Sequence, residues 1–189
     1  MLIYIHGFNS SPASIKARQL QARLQAIGRG ELYRCPALPD RPARAIALLE
    51  QEIAAAPAGA TTLIGSSLGG YYATWLAEQS GCRAVLVNPA LVPYEGLRAY
   101  LGPQKNLHTG ELYELTPTHL RELEVLYVPR LTRMERYYLM VTTGDEVLDY
   151  RDAVARYAGA RQLIVPSSDH GFAEFERYLE SVLEFAGIA

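Results

Sequence analysis

Thr61 to Tyr72 reads TTLIGSSLGGYY, and its reading decides the fold. Thr61 to Ile64 is short and β-branched, as a buried strand is, and Leu68 to Gln79 is compatible with a helix that stops at Gly81. Between them Gly65, Ser66, Ser67, Leu68 and Gly69 spell G-x-S-x-G, the pattern that sets a serine on a sharp strand-to-helix turn. Such a turn strains the serine backbone and brings strand and helix so close that a Cβ at either flanking position would clash, which is why glycine stands there. The free N–H groups of the helix start face the serine, where negative charge develops in acyl transfer. Ser67 is therefore the candidate nucleophile.

Working outward, short apolar runs alternate with helical periodicity. Leu2 to Ile5 predicts a strand that ends at His6-Gly7-Phe8, and Ala13 to Ile27 predicts a helix stopped by Gly28 and Gly30. Leu32 to Cys35 is a second strand, and Asp40 is expected to cap a helix from about Pro42 to Ala56. Beyond the serine turn come strand Arg83 to Val87, strand Tyr138 to Thr142, helix Asp149 to Tyr157, strand Gln162 to Val165 and a last helix to about Phe185. This alternation predicts an α/β fold of three layers with a mainly parallel six-stranded sheet in the order 2-1-3-4-5-6. The 189 residues are read as one domain.

From Pro89 to Arg136 the alternation breaks, leaving turn signals and one convincing helix, Pro117 to Leu126. Tyr94, Tyr100, Leu101, Tyr113, Leu123 and Tyr127 make this stretch too apolar for a solvated linker, so residues 89–136 are expected to form a small cap over the strand ends.

In open α/β sheets ligands bind beyond the carboxyl ends of strands, and Ser67, Asp145 and His170 each follow a different strand. A serine nucleophile needs a base, and the base needs a carboxylate that fixes its tautomer. His170, in Asp-His-Gly-Phe, is the expected base. Asp145 is preferred over Asp149, which could equally cap the helix it opens, while Glu146 and Asp169 are read as surface charges. His6, His108 and His119 are weaker candidates, the first because it precedes the serine turn, the others because they lie in the expected cap. The amides of Phe8 and Leu68 are expected to form the oxyanion hole, with Gly7 letting the backbone turn in.

Composition narrows the class. With 49% hydrophobic and 20% charged residues and a net charge of −2, the chain shows no electrostatic footprint for nucleic acid. Cys35 and Cys82 have no metal-ligand spacing and fit reduced thiols in a cytoplasm. No signal-peptide pattern or membrane-length apolar run is present in the sequence. A cytoplasmic protein without metal or cofactor is expected.

Taken together, HGFNSSP, IGSSLGGYYA, VNPAL, TGDEVLDY and DHGF resemble the small bacterial YqiA/YcfP-type esterases of the α/β-hydrolase superfamily over nearly the whole chain. The resemblance implies a carboxylic-ester hydrolase acting on a small-molecule ester, with thioesters such as acyl-CoA a further class, and Ser67, Asp145 and His170 as its triad. It also implies that the first two strands of the full fold are missing. An acyltransferase or peptidase with the same triad, or a non-catalytic binding protein on this fold, is the competing reading, and the oligomeric state stays open.

Overall fold

The computed structural model describes residues 1–57 and 59–188. In chain order its elements are β1 (Leu2–Ile5), α1 (Ile15–Ala26), β2 (Tyr33–Arg34), α2 (Pro42–Ala54), β3 (Thr62–Ser66), α3 (Leu68–Ser80), β4 (Arg83–Val87) and α4 (Pro93–Gly96). They continue with β5 (Gly102–Lys105), β6 (Leu112–Leu115), α5 (Pro117–Val125), β7 (Tyr137–Thr142), α6 (Tyr150–Arg156), β8 (Arg161–Val165) and α7 (Leu179–Ala186). Six strands form one sheet in the order β2-β1-β3-β4-β7-β8, and every pairing in it is parallel. This is the order expected from the alternation of elements.

Side chains on a strand alternate between faces, and here both faces are buried. Ile3, Ile5, Leu63, Ala84, Leu86, Leu139 and Val141 pack with Ala45 and Leu49 of α2, Leu76 of α3 and Ala153 of α6. Leu2, Tyr4, Ile64, Val85, Val87 and Met140 face the other way, onto Leu20 and Leu24 of α1 and Val182 and Leu183 of α7. The three layers follow from that division. All the parallel strands end on the same edge, which collects the loops after β1, β3, β4, β7 and β8.

Asp40 does not cap α2. Arg41 is the N-cap residue, and the carboxylate of Glu122, on α5, accepts the N–H of Ala43 at 3.2 Å from outside the helix. Asp40 meets the His119 ring instead, 3.3 Å from its Nε2. The 89–136 stretch also holds an antiparallel hairpin, β5 with β6, that the turn signals alone did not predict. Its tip folds over the loop after β1: Leu107 N–H donates to Asn9 O at 2.9 Å, Asn106 Nδ2 to Ser10 O at 2.8 Å and the Tyr113 hydroxyl to Asn9 Oδ1 at 2.8 Å.

Candidate active site

Ser67 links β3 to α3 with φ 55° and ψ −119°, a conformation that L-residues avoid and that the surroundings must impose. Its N–H donates to Val87 O at 3.0 Å, and its carbonyl accepts from Gly70 at 2.9 Å and from Ala90 at 3.1 Å. The end of β4 thus clamps the turn. A Cβ on Gly65 would lie 2.2 Å from the Gly69 carbonyl oxygen, and one on Gly69 would lie 2.0 Å from that of Ile5. Both approaches are far below contact distance, so the two glycines are what lets β1, β3 and α3 converge here.

His170 arrives from the loop after β8. Its Nδ1 donates to Asp145 Oδ2 at 2.8 Å, and that bond leaves Nε2, 3.0 Å from Ser67 Oγ, as the acceptor. The Asp145 side chain is 2% exposed, and its other oxygen accepts the N–H groups of Val147 and Leu148, both at 2.8 Å. Burial works against ionising this carboxyl, but the bonds from His170, Leu148 and Val147 outweigh it and hold the group below the usual carboxylate range. Asp149 lies outside the arrangement. It is the N-cap of α6, accepting the Arg151 N–H at 3.0 Å and pairing with the Arg151 guanidinium at 2.6 Å.

Two residues with no role in the sequence reading hold the His170 loop. Asn88, buried and at φ 41° after β4, donates through Nδ2 to the carbonyls of Asp169 (3.3 Å) and His170 (3.1 Å), while its Oδ1 accepts Thr142 N–H at 3.0 Å. One side chain thereby ties the loops after β4, β7 and β8 together. Glu146, expected to be a surface charge, is exposed but accepts the His170 N–H at 3.0 Å. Asn88 was visible as Asn-Pro directly after a strand, whereas nothing in the sequence marks Glu146.

Gly7 runs against the serine turn, where a Cβ would sit 3.3 Å from Ser67 Cβ and 3.9 Å from Leu68 N. Among the described residues, the N–H groups of Phe8 and Leu68 have no protein acceptor. Buried His6 sets the first of these. It accepts Leu38 N–H at Nε2 (3.2 Å) and donates from Nδ1 to Gly7 O (3.2 Å), and in a trans peptide the Phe8 N–H points opposite to that carbonyl. Burial lowers the His6 pKa, and the bond to Gly7 opposes this only in part. Neutral imidazole is the form that this pair of bonds requires.

The other sequence candidates disperse. His119 closes a capping box on α5 with Thr116, and Leu123 is buried in the core. Tyr94 packs edge-on against Tyr127, Tyr100 packs edge-on against Phe8, and Tyr113 reaches Asn9. Arg136, at the far end of the expected cap, donates to the carbonyl of Ala77 near the end of α3, about 15 Å along the helix axis from Ser67. Two clefts remain beside Ser67, separated by Gly7 to Ser10. One, of about 350 Å³, is lined by Ser67, His170, Lys16 and His108. The other, of about 210 Å³, is lined by Leu68, Tyr72, Tyr113, Asp40 and Glu111. Among the described residues no cluster of histidine, cysteine and carboxylate side chains could hold a metal ion.

The sheet order, the strained Ser67 between β3 and α3, and the loops gathered beside it define an α/β-hydrolase fold with an insertion after β4. The chain belongs to the Uncharacterised protein family (UPF0227), which matches residues 1–187. Solved structures share the fold at low identity. A protein of Agrobacterium vitis S4 superposes with a TM-score of 0.72 at 15% identity, covering 98% of this chain and 87% of its own. The alpha/beta hydrolase domain-containing protein 10 from mouse gives 0.68 at 13% identity, over 97% and 89%. Est1E from Butyrivibrio proteoclasticus, solved with ferulic acid bound, gives 0.65 at 16% identity, over 97% and 86%.

Proposed function

We propose that this protein is a serine hydrolase that cleaves carboxylic esters of short to medium acyl chains, with thioesters, acyl-CoA among them, as a further class. The observation that carries the reading is the continuous series of hydrogen bonds from Ser67 Oγ through His170 to Asp145, at 3.0 and 2.8 Å. In it, His170 Nε2 takes the hydroxyl proton while Oγ bonds to the substrate carbonyl carbon, and Asp145 stabilises the imidazolium. The oxyanion so formed accepts from the N–H groups of Phe8 and Leu68. Its collapse breaks the bond to the alcohol or thiol, which leaves with the proton from His170. Water, deprotonated by the same histidine, then releases the acid from Ser67. Residues 89–136 act as a cap on a single α/β domain.

The shared fold of the esterase domain from a Rhodothermus marinus protein is in keeping with this chemistry. No helix among the described residues is long and apolar enough to cross a membrane, and the substrate proposed is a small molecule. A fluorophosphonate probe tests the reading directly. It should label the wild type and not Ser67→Ala, and a wild type that resists labelling while hydrolysing no p-nitrophenyl ester would overturn it.

A further inference from the structure

The first turn of α1 carries Lys16 to the cleft that Ser67 and His170 line. Its Nζ donates to the carbonyl of Gly171, the residue after His170, at 2.5 Å. An ammonium has three N–H donors, and among the described residues Lys16 has no second acceptor and no ion-pair partner. Burial lowers its pKa from the usual lysine range, and the carboxylates of Asp169 and Asp145 act against this from beyond pairing distance. Lys16 is half-buried, so its ammonium still meets water in the cleft, and its unused donors are open to an anion that enters there. His108, at the tip of the hairpin, borders the same cleft and adds a ring N–H.

The side of Ser67 on which this cation lies decides what it meets. On the hydrolase reading, the departing group takes its proton from His170 Nε2, so it must occupy a space that His170 borders. The cleft of about 350 Å³ is bordered by both Ser67 and His170, and the one across Phe8 by neither. That second space adjoins Leu68, whose amide faces the oxyanion, and it carries the carboxylates of Asp40 and Glu111. The site is therefore polarised, with a cation toward the leaving group and acidic side chains on the other flank.

We propose that Lys16 binds an anionic group, a carboxylate or phosphate, borne on the departing alcohol or thiol close to the scissile bond, so that the preferred substrates are esters and thioesters with an acidic leaving group. This rests on the hydrolase reading for the direction of the substrate, though not for the existence of the anion site. The bond to Gly171 leaves two donors of the ammonium for such an anion without releasing the His170 loop.

Three thioesters that share a butyryl group test it: S-(2-carboxyethyl) thiobutyrate, S-propyl thiobutyrate and butyrylthiocholine, with thiol release as the common readout. In the wild type kcat/KM should fall in that order, the anionic substrate leading the neutral one by about tenfold, the scale of one charge-assisted contact. Lys16→Met should abolish that lead, and Lys16→Arg should keep most of it. A Lys16→Met that slows all three substrates equally would overturn the proposal, because the lysine would then serve only to hold Gly171. Calorimetry gives a readout free of turnover: S-(2-carboxyethyl) thiobutyrate should bind Ser67→Ala about tenfold more tightly than Ser67→Ala/Lys16→Met. Equal affinities would overturn the anion site. A lysine-dependent affinity in a wild type that cleaves none of the three would support the anion site and overturn the hydrolase reading alone.

Discussion

Asp145 accepts the Nδ1–H of His170 at 2.8 Å, while Asp149, four residues on, is engaged by the backbone and guanidinium of Arg151. The two carboxylates are thus separable by substitution. Asp145→Asn keeps the shape but loses the acceptor that fixes the tautomer, and kcat for ester hydrolysis should fall by at least about a thousandfold. Asp149→Asn should lower Tm slightly and leave kcat within about threefold, since it alters only a helix cap and an exposed ion pair. The reverse ranking would move the base's partner to Asp149.

Ser67→Ala should lower kcat by at least about three orders of magnitude with the fold intact, because the hydroxyl forms the covalent bond. Ser66→Ala, one residue earlier on β3, should cost far less. Steady-state kinetics on a p-nitrophenyl ester compares them, and equal losses would refute the assignment of Ser67.

The close approach at Gly69 makes a stability prediction independent of activity. A methyl group 2.0 Å from the Ile5 carbonyl oxygen cannot be absorbed by a flexible side chain, so Gly69→Ala should destabilise by about 3 kcal/mol or more in urea unfolding. Gly96, with nothing within 4 Å of its would-be Cβ, is the control, and Gly96→Ala should stay within about 0.5 kcal/mol. Comparable losses would mean that the convergence of β1 and α3 is not what requires glycine at 69.

What was legible in the chain follows the strength of its local signals. Leu2 to Ile5, Ala84 to Val87 and Tyr138 to Val141 are continuous apolar runs because both sheet faces are buried, and such runs placed the strands within a residue or two. The hairpin had no comparable signature. Gly-Pro-Gln-Lys lacks β-branched residues, and its pairing is secured by the turn, where Asn106 Oδ1 accepts the N–H groups of His108 and Thr109 and Gly110 takes φ 76°. Asp40 went astray because a cap residue is read from local sequence, whereas the partner of α2 here is Glu122, 79 residues further along. The loop-end positions of Ser67, Asp145 and His170 were readable, since a strand end is a local feature. The hold of Asn88 and Glu146 on the His170 loop was not, since it arises only when β4, β7 and β8 lie side by side.

His6 gives the fold a pH dependence whose sign can be worked out. Its folded-state pKa is lowered by burial from 6.5, so below that value the unfolded chain binds a proton that the folded one resists. The stability contributed is present above about pH 6.5 and is lost as pH falls toward the folded pKa. Protonation would also convert Nε2, the acceptor for Leu38 N–H, into a donor. Urea unfolding of the wild type and His6→Gln at pH 7.5 and 5.5 checks this. The variant should lose less stability on acidification, and an equal loss in both would show that His6 is not the group titrating.

The acyl half of the substrate has a narrower set of determinants than the apolar composition of residues 89–136 suggests. Leu123 is 1% exposed in the core, so Leu123→Ala should cost about 2–5 kcal/mol of stability without altering the choice of substrate. Tyr94 borders a separate cleft with Arg98 and Leu120, away from Ser67. Tyr113 is different. It lines the cleft beside Leu68, and its hydroxyl ties β6 to Asn9, two residues after Gly7. Tyr113→Ala should enlarge that cleft, and if each further buried methylene contributes up to about 0.8 kcal/mol, kcat/KM for hexanoate relative to acetate esters should rise several-fold. Tyr113→Phe separates space from tethering: it should keep the wild-type ratio and lower kcat/KM for both esters alike, because only the bond to Asn9 is lost. Tyr94→Ala should leave the ratio within about twofold, as a position outside the cleft has no differential contact with the acyl chain. A ratio that moves with Tyr94 and not with Tyr113 would place the acyl pocket on the far side of the cap.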